Sequence, residues 1–286
     1  MYRELESYAR PATVAAALEL LAAPGAALVA GGTRLHVAGH EHLRSVVDLQ
    51  ALPLAGVAFD AERVWLGALT PLADVLAAGL PPGLEALAEA ISGEKNLALR
   101  NRSTLGGRVS RDRADARVTT ALLALGAEVE VFTAGPDGAP IQRTIPLAAR
   151  LAEIAASAGR PVGIVGGLVL PNEVRWSGYL SAQLSAVDAP MTDVALAVTP
   201  RGVTLASGVH GRSAAGTVLL PQAAAVAAAI APATPEDAWR PGLRAALEAE
   251  LPAHTDALVA GDYRKDLAIT LALRLVGAWR ATGGAA

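Results

Sequence analysis

The sequence predicts an α+β protein of two domains, and three patterns in its 286 residues carry that expectation. Near the start, a helical run feeds a short apolar strand that ends in the glycine turn Ala30-Gly31-Gly32-Thr33, an α/β signature. Between Val174 and Val209, three runs alternate apolar and polar residues as antiparallel strands do. From Gln222 onward the pattern turns helical, with Leu267, Leu271, Leu275 and Ala278 on one face of the last run.

Taken in order, Thr13 to Leu21 has apolar residues at helical spacing and stops at Pro24-Gly25. Ala27 to Ala30 is a buried strand, Ser45 to Leu49 a second one, and Val57 to Leu69 a hairpin with Asp60-Ala61-Glu62 at its tip. Pro71 to Ala78, stopped by Gly79, and Gly83 to Ile91 are helices that lead to a second glycine pair, Thr104-Leu105-Gly106-Gly107. Ala116 to Leu125 continues as helix and Ala127 to Phe132 as strand, which Gly135-Pro136-Asp137-Gly138 turns back into Ile141 to Ile145. Pro161 to Leu170 is an apolar strand. A boundary is expected near Pro171-Asn172, dividing residues 1–172, themselves split near 55, from residues 173–286. Beyond it, Val174 to Ser185, Asp193 to Thr199 and Val203 to Val209 form the sheet, with Pro200-Arg201-Gly202 as a hairpin turn. Gln222 to Ile230, Ala238 to Leu251 and Asp262 to Ala281 are the helices.

Composition removes several function classes. With 52% apolar and 18% charged residues the chain can build a full core. It has no cysteine, which excludes disulfides, thiolate metal sites, iron–sulfur clusters and a cysteine nucleophile, and suits the cytoplasm. Any redox role needs a borrowed cofactor. A net charge of −3 offers no basic field for nucleic acid or an anionic membrane, and the opening Met1-Tyr2-Arg3-Glu4-Leu5-Glu6 lacks an apolar signal core. The uncharged stretch Gly216 to Pro235 contains Pro221 and Pro232, so it reads as a buried helix start rather than a membrane span.

The glycine pairs carry the chemistry. Glycine lets backbone N–H groups approach an anion closely, and a following helix can add donors. The candidate loop residues are Ala30, Gly31, Gly32, Thr33, Arg34 and Leu35, then Thr104, Gly106, Gly107, Arg108 and Arg117. The arginines have two readings. They strengthen a phosphate site, because guanidinium pairs well with phosphate; or Arg111, Asp112, Arg113, Asp115 and Arg117 pair among themselves as a salt-bridged turn, and the bulky groups crowd a close-fitting cradle. The second is favoured.

Elsewhere, Tyr179 and Gln183 are expected on one side of a strand, where a hydroxyl and an amide could orient a substrate carbonyl. His36, Gly208 and His210 are candidates for lining the same cleft, with Arg212 beside it. His36, His40 and His42 cluster, but only Glu41 accompanies them, so a solvated loop is favoured over zinc and no metal site is assigned. Trp65 and Trp176 read as packing residues, and the absence of GxSxG gives hydrolase chemistry little support.

The strings RPATVAAALELL, LVAGGTRL, VVDLQALP, VWLGALTPLADV, LRNRSTLGGRV and ALLALGAEVEV, in that order, resemble the FAD-binding subunit of the molybdenum hydroxylases, the carbon monoxide dehydrogenase and xanthine dehydrogenase family. GDYRKDLAITLALRL extends the likeness to the small C-terminal domain of those subunits. The resemblance implies a vanillyl-alcohol-oxidase-type fold, in which a small parallel sheet and a larger antiparallel sheet clasp FAD. It also implies departures. The family usually has an acidic or small polar residue at Arg34, an asparagine at Arg108, and a proline and a flavin-holding aspartate at Ala114 and Arg117. Where it tends to carry Tyr-Arg-Lys, this chain has Tyr179-Leu180-Ser181-Ala182.

Of three functions, the residues favour the first, with no cofactor bound, over the two alternatives. The first is a cofactor-independent cyclase or isomerase that folds a large, apolar, polyketide-like substrate in a vacated flavin cleft, as the likeness to flavin-free cyclases of polyether and tetronate pathways such as that of tetronasin implies. Tyr179 and Gln183 would then be the catalytic polar residues, and the chain could be a homodimer. The alternative is an FAD-binding electron-transfer subunit that needs iron–sulfur and molybdenum partners. The last is a non-catalytic ligand-binding protein.

Overall fold

The computed structural model describes residues 5–33, 43–110, 117–157, 162–185, 187–209 and 216–283. Its first unit is a small parallel sheet. Strand β1 (Ser7–Ala9) is followed by helix α1 (Val14–Leu21), then β2 (Ala26–Val29) and β3 (Ser45–Asp48), with β3 between the other two. Thr13 starts α1 by accepting the Ala16 N–H on its hydroxyl. Ala17 and Leu18 of that helix then bury in a core with Val47 and Leu49.

The chain next enters a five-stranded antiparallel sheet. In sequence come β4 (Val57–Phe59), β5 (Arg63–Gly67), α2 (Leu72–Ala77), α3 (Glu85–Ser92), α4 (Leu97–Arg102), α5 (Leu105–Val109), α6 (Arg117–Ala124), β6 (Glu128–Ala134), β7 (Pro140–Pro146), α7 (Leu147–Ala156) and β8 (Ile164–Pro171). The strand order is β4-β5-β8-β6-β7, and a bulge falls between Glu130 and Val131.

After Pro171 the chain changes sheets. Strands β9 (Trp176–Ala182), β10 (Thr192–Thr199), β11 (Gly202–Val209) and β12 (Gly216–Leu219) pair antiparallel in the order β12-β11-β10-β9, and α8 (Pro221–Ala228), α9 (Glu236–Glu250) and α10 (Gly261–Ala281) follow. Strand β10 is buried on both faces. Its Val194, Leu196 and Val198 join Leu243 of α9 and Leu275 of α10, while Ala195 and Ala197 share a core with Leu87 of α3 and Leu122 of α6. The small alanines let those helices pack closely on the sheet, and the same core runs on to Val64 and Leu66 of β5. Helices α3 and α6 thus pack on the four-stranded sheet and share one core with the five-stranded sheet.

Two expectations need correction. The uncharged stretch from Gly216 does not begin as helix; its first residues complete the four-stranded sheet as β12, and Pro221 then opens α8 in its first turn. The second glycine pair is not a free loop, because Thr104 caps α5 and Gly106 and Gly107 lie inside that helix. No helix among the described residues is long and apolar enough to cross a membrane.

Candidate functional site: a glycine loop

The two glycine segments come together. Strand β2 delivers Ala30, whose carbonyl accepts the Gln50 side-chain amide at 3.0 Å. A Cβ at Gly31 would lie 1.7 Å from the Arg102 carbonyl oxygen, so the missing side chain is what seats the first loop on the end of α4. Gly32 differs. It has a φ of 73°, and a Cβ there would meet nothing within 4 Å, so this residue borders open space. Ser103 Oγ donates to Thr33 Oγ1 at 3.2 Å and ties the loop to the residue ahead of the second glycine pair.

Among the described residues, the backbone N–H groups of Gly31, Gly32 and Thr33 find no protein acceptor. A glycine turn with such a row of N–H groups is a ready anion site. The second pair has no such row. Leu105 N–H donates to the Thr70 carbonyl, Gly106 N–H to the Ala68 carbonyl at 2.8 Å, and Gly107 N–H to Thr104 Oγ1. A Cβ at Gly106 would also come within 2.8 Å of the Ala68 Cβ. Gly106 therefore serves the packing of α5 on the end of β5. Among the described residues, only the first segment keeps its N–H groups unspent on the protein; the second braces it through Ser103.

The two described arginines of the candidate set, Arg108 and Arg117, turn inward. Arg108 is 7% exposed, and its Nη2 donates to Glu94 Oε2 at 3.3 Å and to Ser103 Oγ at 3.1 Å. Arg117, 4% exposed, donates to the Asp188 carbonyl at 2.6 Å and packs against Gly93, where a Cβ would be 3.2 Å from its Cδ. The crowding expected of these two side chains is thus relieved, because each guanidinium is drawn to acceptors within the protein. Arg34, Leu35, His36, Arg111, Arg113 and His210 lie outside the described residues, as do His40, Glu41, His42, Asp112, Ala114, Asp115 and Arg212.

Tyr179 sits in the core instead of facing a cleft. Its hydroxyl donates to Asp193 Oδ2 at 2.8 Å and its N–H to Glu89 Oε2 at 2.8 Å. Asp193 is fully buried and also accepts the Thr120 hydroxyl and the Gly208 N–H, each at 2.9 Å. Tyr179 and Gly208 therefore belong to a buried polar knot that fastens α3 and α6 to the four-stranded sheet. Gln183 lies past the end of β9 with its Oε1 3.4 Å from Ser181 Oγ, and no hydrogen bond among the described residues joins it to Tyr179. Burial pushes the Glu89 carboxyl above its ordinary range, against the Tyr179 N–H that favours its charged form. Two surface cavities, about 710 Å³ beside α1 and about 280 Å³ between α2 and α3, are not lined by Tyr179, Gln183 or Gly208.

Glu94, Ser103, Thr120 and Asp193 were not legible as site residues. Two of them left a signal. Ser103 directly precedes the second glycine motif, and Asp193 is a lone acid at the head of an apolar run, where burial demands partners.

The family of the FAD binding domain in molybdopterin dehydrogenase matches residues 3–173, and the chain belongs to it. Its fold, expected from the sequence as the vanillyl-alcohol-oxidase type, recurs in solved structures over nearly the whole chain. Carbon monoxide dehydrogenase from Hydrogenophaga pseudoflava is 21% identical over 97% of this chain and 98% of that one, with a TM-score of 0.78. Quinoline 2-oxidoreductase from Pseudomonas putida 86 is 17% identical over 99% of each chain, with a TM-score of 0.76. Reconstituted CO dehydrogenase from Oligotropha carboxidovorans is 19% identical over 98% of this chain and 99% of that one, with a TM-score of 0.77. At these identities the likeness establishes the fold. No curated protein matches the sequence.

Proposed function

We propose that the chain is the FAD-binding subunit of a multi-subunit oxidoreductase of the molybdenum hydroxylase kind. The observation that carries this reading is the set of N–H groups on Gly31, Gly32 and Thr33, which lack protein acceptors beside open space in a chain of this family. FAD fits that donor set. Gly31, Gly32 and Thr33 would hold its pyrophosphate, since backbone amides in a glycine turn solvate phosphate oxygens without a bulky side chain. When bound, FAD supplies an acceptor able to take electrons singly or in pairs. The chain's own part is to bind and orient the group. With no cysteine of its own, it needs a partner to carry any iron–sulfur cluster, and a molybdenum partner to carry the substrate chemistry. Purification followed by flavin quantification tests the reading: bound FAD supports it, and protein that takes up no FAD overturns it.

A second reading, a cofactor-free cyclase acting on a large polyketide-like substrate, is favoured by one residue. Arg117 stands where the family's pattern has a flavin-holding aspartate, and its guanidinium is committed to the Asp188 carbonyl. Catalysis would then come from holding a reactive conformer, an effect on the order of 7 kcal/mol in favourable systems. Colourless protein that cyclises substrate without added FAD would reverse the ranking. Neither flavin nor turnover would mark a ligand-binding protein.

A further inference from the structure

We propose that Arg108 is a positioning residue: through Ser103 it fixes the Thr33 hydroxyl as a donor to a phosphate held in the first glycine loop. The inference rests on the reading above that this loop takes a phosphate-bearing ligand.

Arginine donates and never accepts, whereas a hydroxyl has a single proton to give. Arg108 Nη2 lies 3.1 Å from Ser103 Oγ, so that oxygen receives. The Ser103 proton then goes to Thr33 Oγ1, 3.2 Å away. Thr33 Oγ1 is thereby an acceptor within the protein, and among the described residues it has no other hydrogen bond, so its own proton is left for an outside acceptor. Glu94 holds the start of this relay in place. Its Oε2 accepts from Arg108 at 3.3 Å, and its Oε1 is fixed by the Asn96 N–H at 3.2 Å.

The outcome is a loop with one polarity. The N–H groups of Gly31, Gly32 and Thr33 can only donate, and because Ser103 donates to Thr33 the Thr33 proton is left to donate as well. Phosphate oxygens only accept, and such charge-assisted bonds are the strong ones. With one Thr33 lone pair taken by Ser103, the hydroxyl proton is turned away from Ser103 and towards the ligand's acceptor oxygens. Arg108 thus serves the loop from beneath, without touching the ligand.

The test is calorimetric titration of the full chain with FAD and, separately, with ADP, which carries the pyrophosphate without the flavin. Thr33→Val and Ser103→Ala should each weaken both ligands about five- to tenfold. The double variant should bind no more weakly than Thr33→Val alone, because Ser103 acts through Thr33. Arg108→Lys, a donor-only cation, should bind more tightly than Arg108→Gln. Unchanged affinity in Ser103→Ala, or losses that multiply in the double variant, overturns the relay even where FAD binds and the functional reading stands. ADP binding with the coupled pattern, but no FAD binding, keeps the relay and overturns the flavin reading. A wild type that binds neither ligand overturns both.

Discussion

The Arg108 guanidinium lies 3.3 Å from the Glu94 carboxylate, with 7% and 12% of the two side chains exposed. Removing one partner of such a pair strands the other charge, whereas removing both returns much of the loss. Arg108→Leu should lower stability by about 3 kcal/mol, and Arg108→Leu with Glu94→Leu should regain most of it. Urea unfolding of the two variants and the wild type measures the difference.

The adjacent glycines of the first loop should fail in different ways. A Cβ at Gly31 collides with the Arg102 carbonyl, so Gly31→Ala should cost about 2 kcal/mol of stability. Gly32→Ala meets no atom within 4 Å and should cost only about 1 kcal/mol for its positive φ. Its new methyl group would stand in the open space proposed for phosphate, so ADP affinity should fall out of proportion to the loss of stability. Thermal melts paired with ADP titrations separate the two effects.

Tyr179→Phe should act on stability, not on chemistry at the glycine loop. The change removes the hydroxyl that donates to the fully buried Asp193, which keeps Thr120 and Gly208 as donors, and should cost about 1–2 kcal/mol. FAD affinity, measured well below the melting point, should stay near that of the wild type.

Glu89 should give a pH signature of known sign. Burial raises its folded-state pKa above the ordinary carboxylate value, so the folded protein binds more protons than the unfolded chain between those two values. Its contribution to stability therefore falls as pH rises through that window, and the charged form is the costly one. Glu89→Gln keeps an oxygen for the Tyr179 N–H and removes the charge. It should match or exceed wild-type stability at neutral pH, with the difference closing in acid; denaturant midpoints across the pH range check this.

Much of the fold was legible because period and punctuation agree in this chain. The alternation expected from Val174 to Val209 matches three strands, β9, β10 and β11, and Gly79, with a φ of 70°, ended α2 as expected. Helix α7 was missed although Leu147 and Leu151 stand at helical spacing and are buried. Strand β1 has only three residues, too few for a pattern. At the site, glycine spacing singled out both segments, but sequence could not show that Gly106 has its N–H taken by the Ala68 carbonyl, a contact across 38 residues. Nor could it show which way Arg108 and Arg117 turn. That depends on Glu94 and on the Asp188 carbonyl, brought near by tertiary packing and not by spacing.

The central claim is that the first glycine loop holds FAD, and the direct measurement is the absorption spectrum of the purified full chain, before and after incubation with excess FAD and removal of the unbound fraction. The expected result is flavin bands with stoichiometric FAD retained, lost on Gly32→Ala and weakened on Thr33→Val. A folded protein that stays colourless after incubation would contradict the claim.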